Sequence, residues 1–150
     1  MVTTFRSDIV AAVVAVLTAQ QTATPTQLRA IYSSRPGSFP ETPCAYVGAR
    51  DEVIRYSGQL RTRTFVGLTV TLVDTFADPT QAGDRLDDLV DLLVDRFTAA
   101  YAQVAGGGSI LGLSRITDTE IEVASASGAS TVYRGVVLGF DETFVTEGRT

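Results

Sequence analysis

The sequence predicts an α+β domain: a mostly antiparallel sheet of about four to five strands, with two main helices packed on one face. Two observations indicate the elements. Stretches near the N-terminus and after Pro79 have apolar residues at helical spacing, whereas the stretch from Thr62 to Phe76 alternates with period two. The order of helix, three strands, helix and two strands then favours antiparallel pairing, with both helices on the same side of the sheet.

The chain length fits a single domain spanning residues 1–150. A fold of 150 residues buries roughly 70% of the surface that its unfolded chain exposes, which allows a real core. Hydrophobic residues make up 45% and charged residues 19% of the chain, and this composition is typical of globular proteins.

The first predicted helix runs from about Thr4 to Gln20. Thr4 or Ser7 is available as an N-cap, and Asp8 lies near the positive end of the helix dipole. Its apolar residues cover more than a narrow stripe: Phe5, Ile9, Val10, Val13, Val14, Val16 and Leu17. Such a helix needs cover from the sheet or from a neighbouring subunit.

A Pro-rich arm at about residues 21–43 follows, with four of the five prolines of the chain: Pro25, Pro36, Pro40 and Pro43. We expect the arm to be mostly loop, with a short helical turn at Gln27 to Tyr32. Its part from about Ser33 to Pro43 contains few large apolar residues, so we expect this part to bury little by itself, to be poorly ordered in an isolated subunit and to become ordered on assembly.

Three strands are predicted after the arm: Cys44 to Ala49, Glu52 to Tyr56, and Thr62 to Phe76, with a turn at Ser57-Gly58-Gln59 between the second and third. In the third strand the large apolar side chains fall on even positions: Val66, Leu68, Val70, Leu72 and Phe76. These even positions are predicted to form its buried face.

The second helix is predicted from Pro79 to about Val104, ended by Gly106-Gly107-Gly108. Its apolar stripe is the clearest periodicity in the chain: Leu86, Leu89, Val90, Leu93, Phe97, Ala100, Tyr101 and Val104. We expect Leu89, Leu93 and Phe97 to pack against the even face of the Thr62 to Phe76 strand. A last hairpin is predicted from Ile116 to Ala124 and Thr131 to Val145.

Charge and residue usage exclude several function classes. The formal net charge of −5 argues against a nucleic-acid binder or a polybasic membrane anchor. The chain has no His, which removes the commonest catalytic triads and zinc sites. Cys44 is alone and is interpreted as a small core residue in a reducing compartment. We therefore expect no enzyme activity, no cofactor, no metal and no membrane span.

Two motifs that could suggest chemistry have simpler explanations. The carboxylate pairs Asp87-Asp88 and Asp141-Glu142 are typical of a solvated helix face and a strand end. The run Gly106 to Ser109 lacks the lysine and the strand-to-helix setting of a phosphate-binding loop, so it is interpreted as a helix stop and linker.

Two groups of charges are candidates for subunit or partner contacts. Four arginines gather in one strand-turn-strand segment: Arg50, Arg55, Arg61 and Arg63. Five aspartates line one face of the second helix: Asp84, Asp87, Asp88, Asp91 and Asp95. They could pair between neighbouring subunits. Alternatively, both groups are solvated surface, or the acidic face lines a channel for passing DNA.

This order of elements resembles the tail terminator proteins of long-tailed phages with non-contractile tails. The resemblance covers nearly the whole chain and rests on the N-terminal helix, the arm with Arg35-Pro36-Gly37, the Thr62 to Phe76 strand, the Asp-rich helix and the terminal hairpin. It implies a virion protein, made in the bacterial cytoplasm, that forms a hexameric ring at the head-proximal end of the tail. Its partners would be the tail tube protein and a head-completion or connector protein, with DNA passing through the ring.

Two other functions remain open. A head–tail connector, head-closure or tail-completion subunit has a similar size and composition. A small ligand- or peptide-binding module, of a different class, could use the Pro-rich arm as a lid.

Overall fold

The computed structural model describes residues 5–21, 28–48, 51–75, 79–99, 109–110, 113–124, 127–140 and 142–148. These residues form two helices, α1 (Phe5–Gln21) and α2 (Pro79–Ala99), and nine strands. The strands are β1 (Ala30–Tyr32), β2 (Cys44–Val47), β3 (Asp51–Ser57), β4 (Leu60–Val66), β5 (Thr69–Thr75), β6 (Ser109–Ile110), β7 (Leu113–Ala124), β8 (Ser130–Phe140) and β9 (Glu142–Gly148).

The nine strands form two sheets. The main sheet has five strands in the order β1-β2-β5-β8-β7, and the second sheet has four in the order β3-β4-β9-β6. All pairings are antiparallel except the short parallel contact between β1 and β2. The predicted α+β fold with a mostly antiparallel sheet is therefore confirmed.

The second sheet continues four strands of the main sheet past a bend. Reading across the main sheet from β2 to β7 gives β2, β5, β8 and β7, and their chain neighbours β3, β4, β9 and β6 follow in the same order in the second sheet. At the bend, the Gly48 amide donates to the Thr69 carbonyl at 2.8 Å and the Phe140 amide to the Leu68 carbonyl at 3.0 Å. The predictions of single strands over Thr62 to Phe76 and Thr131 to Val145 were wrong, because the first divides into β4 and β5 and the second into β8 and β9, which belong to different sheets.

The bend also reverses which side chains point inward. Gly67 has a φ of 78°, a left-handed conformation that favours glycine and breaks the strict alternation of a strand. As a result, Leu68, Val70 and Leu72 are buried as predicted, whereas Val66 is 45% exposed and its neighbour Phe65 is buried instead. Phe76 lies outside the described residues.

Both helices pack on one face of the main sheet, here called the helix face. Ile9, Val13 and Leu17 of α1 join one core with residues of α2, β2, β5 and β8. Leu89, Leu93 and Phe97 share this core with Leu68, Val70 and Leu72, which confirms the predicted helix-to-strand packing. Phe97 also meets Phe140 edge to face, with ring centroids 5.1 Å apart.

The Pro-rich arm covers part of the opposite face, here called the arm face. Phe39 is buried there among Cys44, Tyr46, Val73 and Ile121. The ring of Phe39 stacks on Tyr46 at 6.0 Å and meets Tyr133 edge-on at 5.1 Å. The expectation that the arm buries little was therefore wrong, because a single large aromatic residue is enough to anchor it.

The predicted helical turn at Gln27 to Tyr32 was also wrong. Residues 22–27 lie outside the described part, but Ala30–Tyr32 forms β1 beside β2. Ile31 and Tyr32 have strong strand preference. The Arg29 amide donates to the Pro43 carbonyl at 2.8 Å, which closes the part of the arm between these two residues.

Polar contacts join α2 to the main sheet and to α1. Arg85 of α2 donates to both carboxylate oxygens of the fully buried Asp74 at 2.6 Å. Arg96 of α2 donates to the side-chain oxygen of the buried Gln20 of α1 at 2.7 Å. Neither helix has the length and apolarity needed to cross a bilayer, as judged over the described residues.

Several predicted features lie outside the described residues. They are the N-cap candidate Thr4, the α2 extension through Ala100, Tyr101 and Val104, and the glycines 106–108.

We predict that Phe97→Ala lowers the free energy of unfolding by about 3–5 kcal/mol, because it leaves a cavity between α2 and the sheet. Thr98→Ala, at an exposed neighbouring position, is the control and should change it by less than about 0.5 kcal/mol. Denaturant unfolding measures both. A loss below about 1 kcal/mol for Phe97→Ala would contradict the packing described here.

The buried thiol gives a second prediction. Burial, with a smaller contribution from the Asp74 carboxylate, raises the pKa of Cys44 to about 12. At pH 8, thiol reagents should therefore modify the native protein at least about a hundredfold more slowly than the denatured protein, since the thiolate is the reacting form. Equal rates in the two states would show that the arm does not shield Cys44.

Candidate functional site

The hairpin of β3 and β4 carries the predicted arginine segment. The two strands pair from Asp51 opposite Val66 to Ser57 opposite Leu60, joined by a two-residue turn at Gly58 and Gln59. Gly58 has a φ of 60°, as tight hairpin turns require. The predicted turn at Ser57-Gly58-Gln59 is confirmed.

The register divides the predicted arginines between two faces of the second sheet. Arg55 is opposite Thr62, whereas Arg61 is opposite Tyr56 and Arg63 is opposite Ile54. Because neighbouring residues in a strand alternate, Arg55 lies on one face and Arg61 and Arg63 on the other. The face with Arg61 and Arg63 also carries the buried Phe65 and is called the inner face; the face with Arg55 is called the outer face. Arg50 lies outside the described residues.

Arg63 forms an ion pair within the subunit. Its Nε and Nη2 donate to the two carboxylate oxygens of Glu52, at 2.8 and 3.2 Å. The pair is mostly shielded, with side-chain exposures of 18% for Arg63 and 10% for Glu52. Such a bidentate, shielded contact is stronger than an exposed ion pair. Arg63 therefore stabilises the hairpin itself.

Glu52 also connects the hairpin to α1. Arg6 Nη1 lies 3.5 Å from Glu52 Oε1, and the Arg6 guanidinium lies over the Phe65 ring at 5.3 Å from its centroid. The first turn of α1 thus rests on the inner face near the base of the hairpin. One carboxylate holds α1, β3 and β4 together.

Arg61 differs from Arg55 in its surroundings. Arg61 is partly buried on the inner face, and its partner position in β9 is Glu147. Arg55 is exposed, and its β4 neighbour in register is the uncharged Thr62. Arg55 forms no ion pair with another described residue. Among the predicted arginines that the structure describes, Arg55 is the most accessible to a partner.

The acidic face of α2 is exposed as predicted. Asp87, Asp88, Asp91 and Asp95 are all exposed, and none pairs with a cation among the described residues. Asp84 lies in α2, but its side chain is outside the described part. The partly exposed Leu92 is four residues after Asp88 and three before Asp95, so it lies at the margin of this acidic face.

Exposed apolar side chains concentrate on the same hairpin. Seven large apolar residues are exposed among those described, and five of them belong to β3 or β4: Val53, Ile54, Tyr56, Leu60 and Val66. Concentrated apolar exposure of this kind marks a contact surface more often than scattered single residues do. The predicted charge segment therefore also carries most of the exposed large apolar residues that the structure describes.

A groove opens on the arm face beside the bend. It has a volume of about 430 Å³ and is lined by residues of the arm and the main sheet, among them Ser34, Arg35, Tyr46 and Thr71. The sequence suggested that the arm could be the lid of a binding module, but it did not indicate this groove. Within the described residues, no group of three or more acidic, Cys or His side chains is placed to hold a metal ion.

Some contact residues were missed from sequence. Glu52 and Arg6 are separated by 46 positions, so no local sequence pattern indicates that they are in contact. The division of the arginines between two faces could have been predicted from the sequence. A two-residue turn at Gly58 and Gln59 fixes the register of the hairpin and hence the face on which each side chain lies.

No protein-family model matches the sequence, and no curated protein matches it at a significant level of similarity.

The Glu52 junction gives a prediction about stability. Glu52→Gln should lower the free energy of unfolding by about 1–3 kcal/mol, because it leaves the shielded Arg63 without its carboxylate. Glu41→Gln, at an exposed arm position, removes the same charge and should have little effect. Denaturant unfolding at low and high salt compares them, and equal losses would contradict a specific role for Glu52.

Proposed function

We propose that this chain is a structural subunit that assembles with copies of itself into a ring, as the phage tail terminators that it resembles do. The observation that carries the proposal is the concentration of exposed apolar residues on the β3–β4 hairpin, on strands that are continuous with the core. A rigid apolar surface of this kind contributes little to the stability of an isolated subunit and is typical of a contact with another protein.

A ring needs two different complementary surfaces on each subunit. Heterologous contacts close into a ring when the rotation between subunits allows it, and each contact joins one patch to a different patch on the next copy. The hairpin combines apolar and basic side chains, and α2 presents aspartates that pair with no cation among the described residues. These surfaces belong to different elements, which suits heterologous contact.

The resemblance extends this proposal to a virion role. The ring would cap the tail tube at its head-proximal end, stop elongation and present a joining surface to a head-completion or connector protein. A connector or tail-completion subunit would use the same kind of surfaces and differ in the number of copies.

The arm-face groove favours a second candidate, a ligand- or peptide-binding module. Ser34 and Arg35 come from the arm, while Tyr46 and Thr71 come from the sheet, so arm and sheet together would enclose a bound segment. This function does not require the exposed hairpin surface.

Mass measurement separates these candidates. Native mass spectrometry and light scattering of the purified chain should give a hexamer, and negative-stain electron microscopy should show rings with a central channel. A dodecamer would favour the connector. A monomer at all accessible concentrations would contradict ring assembly and favour the binding module.

A further inference from the structure

The outer face of the hairpin presents Arg55 between two exposed apolar side chains, Val53 and Leu60. The other positions of this face near Arg55 are the uncharged Ser57, Thr62 and Thr64, and Asp51 lies opposite Val66 at the base of the hairpin, away from Arg55. Val53, Leu60 and Val66 lie on this face with exposures of 38%, 50% and 45%, and Arg55 lies beside Val53 and diagonally from Leu60. Aromatic and arginine residues surrounded by apolar contacts are the usual centres of protein interfaces. We define these four residues as the outer patch.

The inner-face arginines are less suited to a partner. Arg63 is engaged by Glu52, and α1 rests on the same face through Arg6. Arg61 has Glu147 in register beside it. A partner that bound these groups would have to displace contacts that already exist in the subunit. A partner that bound Arg55 would displace no ion pair among the described residues.

The acidic face of α2 has the complementary composition. It presents Asp87, Asp88, Asp91 and Asp95, exposed and without cationic partners among the described residues, with Leu92 at its margin. Leu92 is not among the partly buried residues that pack against the helix-face core. Leu92 can therefore pack against apolar side chains of the outer patch while the neighbouring carboxylates of α2 face Arg55.

We propose that the outer patch of one subunit docks on the acidic face of α2 of a second copy, with Arg55 meeting Asp88 and with Leu92 packing against the apolar side chains next to Arg55. This inference rests on the proposed function and names the contact that builds the ring. The contact is heterologous, because the outer patch and the acidic face belong to different parts of the subunit. It assigns the pairing role to Arg55, while Arg61 and Arg63 stabilise the hairpin.

Reciprocal charge reversal tests the contact. Arg55→Glu places a carboxylate against the aspartates, and Asp88→Arg places a second guanidinium against Arg55. Each variant alone should need at least about a tenfold higher protein concentration for half-assembly than wild type, because like charges repel at a contact. Thermal melts of each variant confirm that the subunit still folds.

A mixture of the two variants gives the decisive result. In a 1:1 mixture, Glu at position 55 of one subunit meets Arg at position 88 of the next, and Arg55 of that subunit meets Asp88 of the following one. Oligomers should therefore form again with strictly alternating composition, which native mass spectrometry resolves by mass. A mixture that assembles no better than either variant alone overturns the proposal.

Matched controls separate this contact from general effects. Arg29→Glu makes the same charge change at an exposed position outside the hairpin and should assemble like wild type. Leu60→Ser should weaken assembly, whereas Ile116→Ser, at a residue of similar exposure on β7, should not. If wild type forms rings and Arg55→Glu forms them equally well, this contact is wrong while the proposed function stands. If wild type does not assemble, both are overturned.

Discussion

The bend at Gly67, between β4 and β5, is the constraint on which the rest of the structure depends. At Gly67 the backbone takes a left-handed conformation, and the inward-facing positions change from even numbers in β5 to odd numbers in β4. The same strands can therefore bury Leu68, Val70 and Leu72 under the helices and still turn Val66 outward. Hydrogen bonds from Gly48 and Phe140 carry the sheet through the bend, so the second sheet is held by the core rather than by a flexible linker.

The two sheets differ in how much of their surface is covered. The main sheet is covered by both helices on one face and partly by Phe39 of the arm on the other. Near the base of the second sheet, the N-terminal turn of α1 contacts the inner face through Arg6. Exposed apolar residues remain on both faces of the hairpin: Ile54 and Tyr56 on the inner face, and Val53, Leu60 and Val66 on the outer face. The hairpin is therefore the surface that a neighbouring molecule would complete.

The sequence predicted the elements that have a strong period. The stripe of α2 identified its core residues Leu86, Leu89, Val90, Leu93 and Phe97, and alternation identified Val70 and Leu72. The division of Thr62 to Phe76 was not predicted, because one glycine inside an alternating run does not show whether the strand bends. The anchoring of Phe39 and the Arg6–Glu52 contact depend on distant partners, so local patterns could not indicate them. The aspartates of α2 were placed correctly on an exposed face, whereas the partner of that face remains a proposal.

The carboxylate of Glu52 has a consequence for how subunits would add to a ring. It links the hairpin to α1 through Arg6, and α1 is joined at its other end to α2 by the Gln20–Arg96 hydrogen bond. Arg96 is adjacent in sequence to Asp95 of the acidic face. Packed and hydrogen-bonded groups thus connect the inner face of the hairpin to the end of α2 that carries Asp95, and such networks can transmit a shift from one site to another. In the proposed ring, the binding of one neighbour at the hairpin would thereby be coupled to the helix that meets the next neighbour, and ring closure would be cooperative.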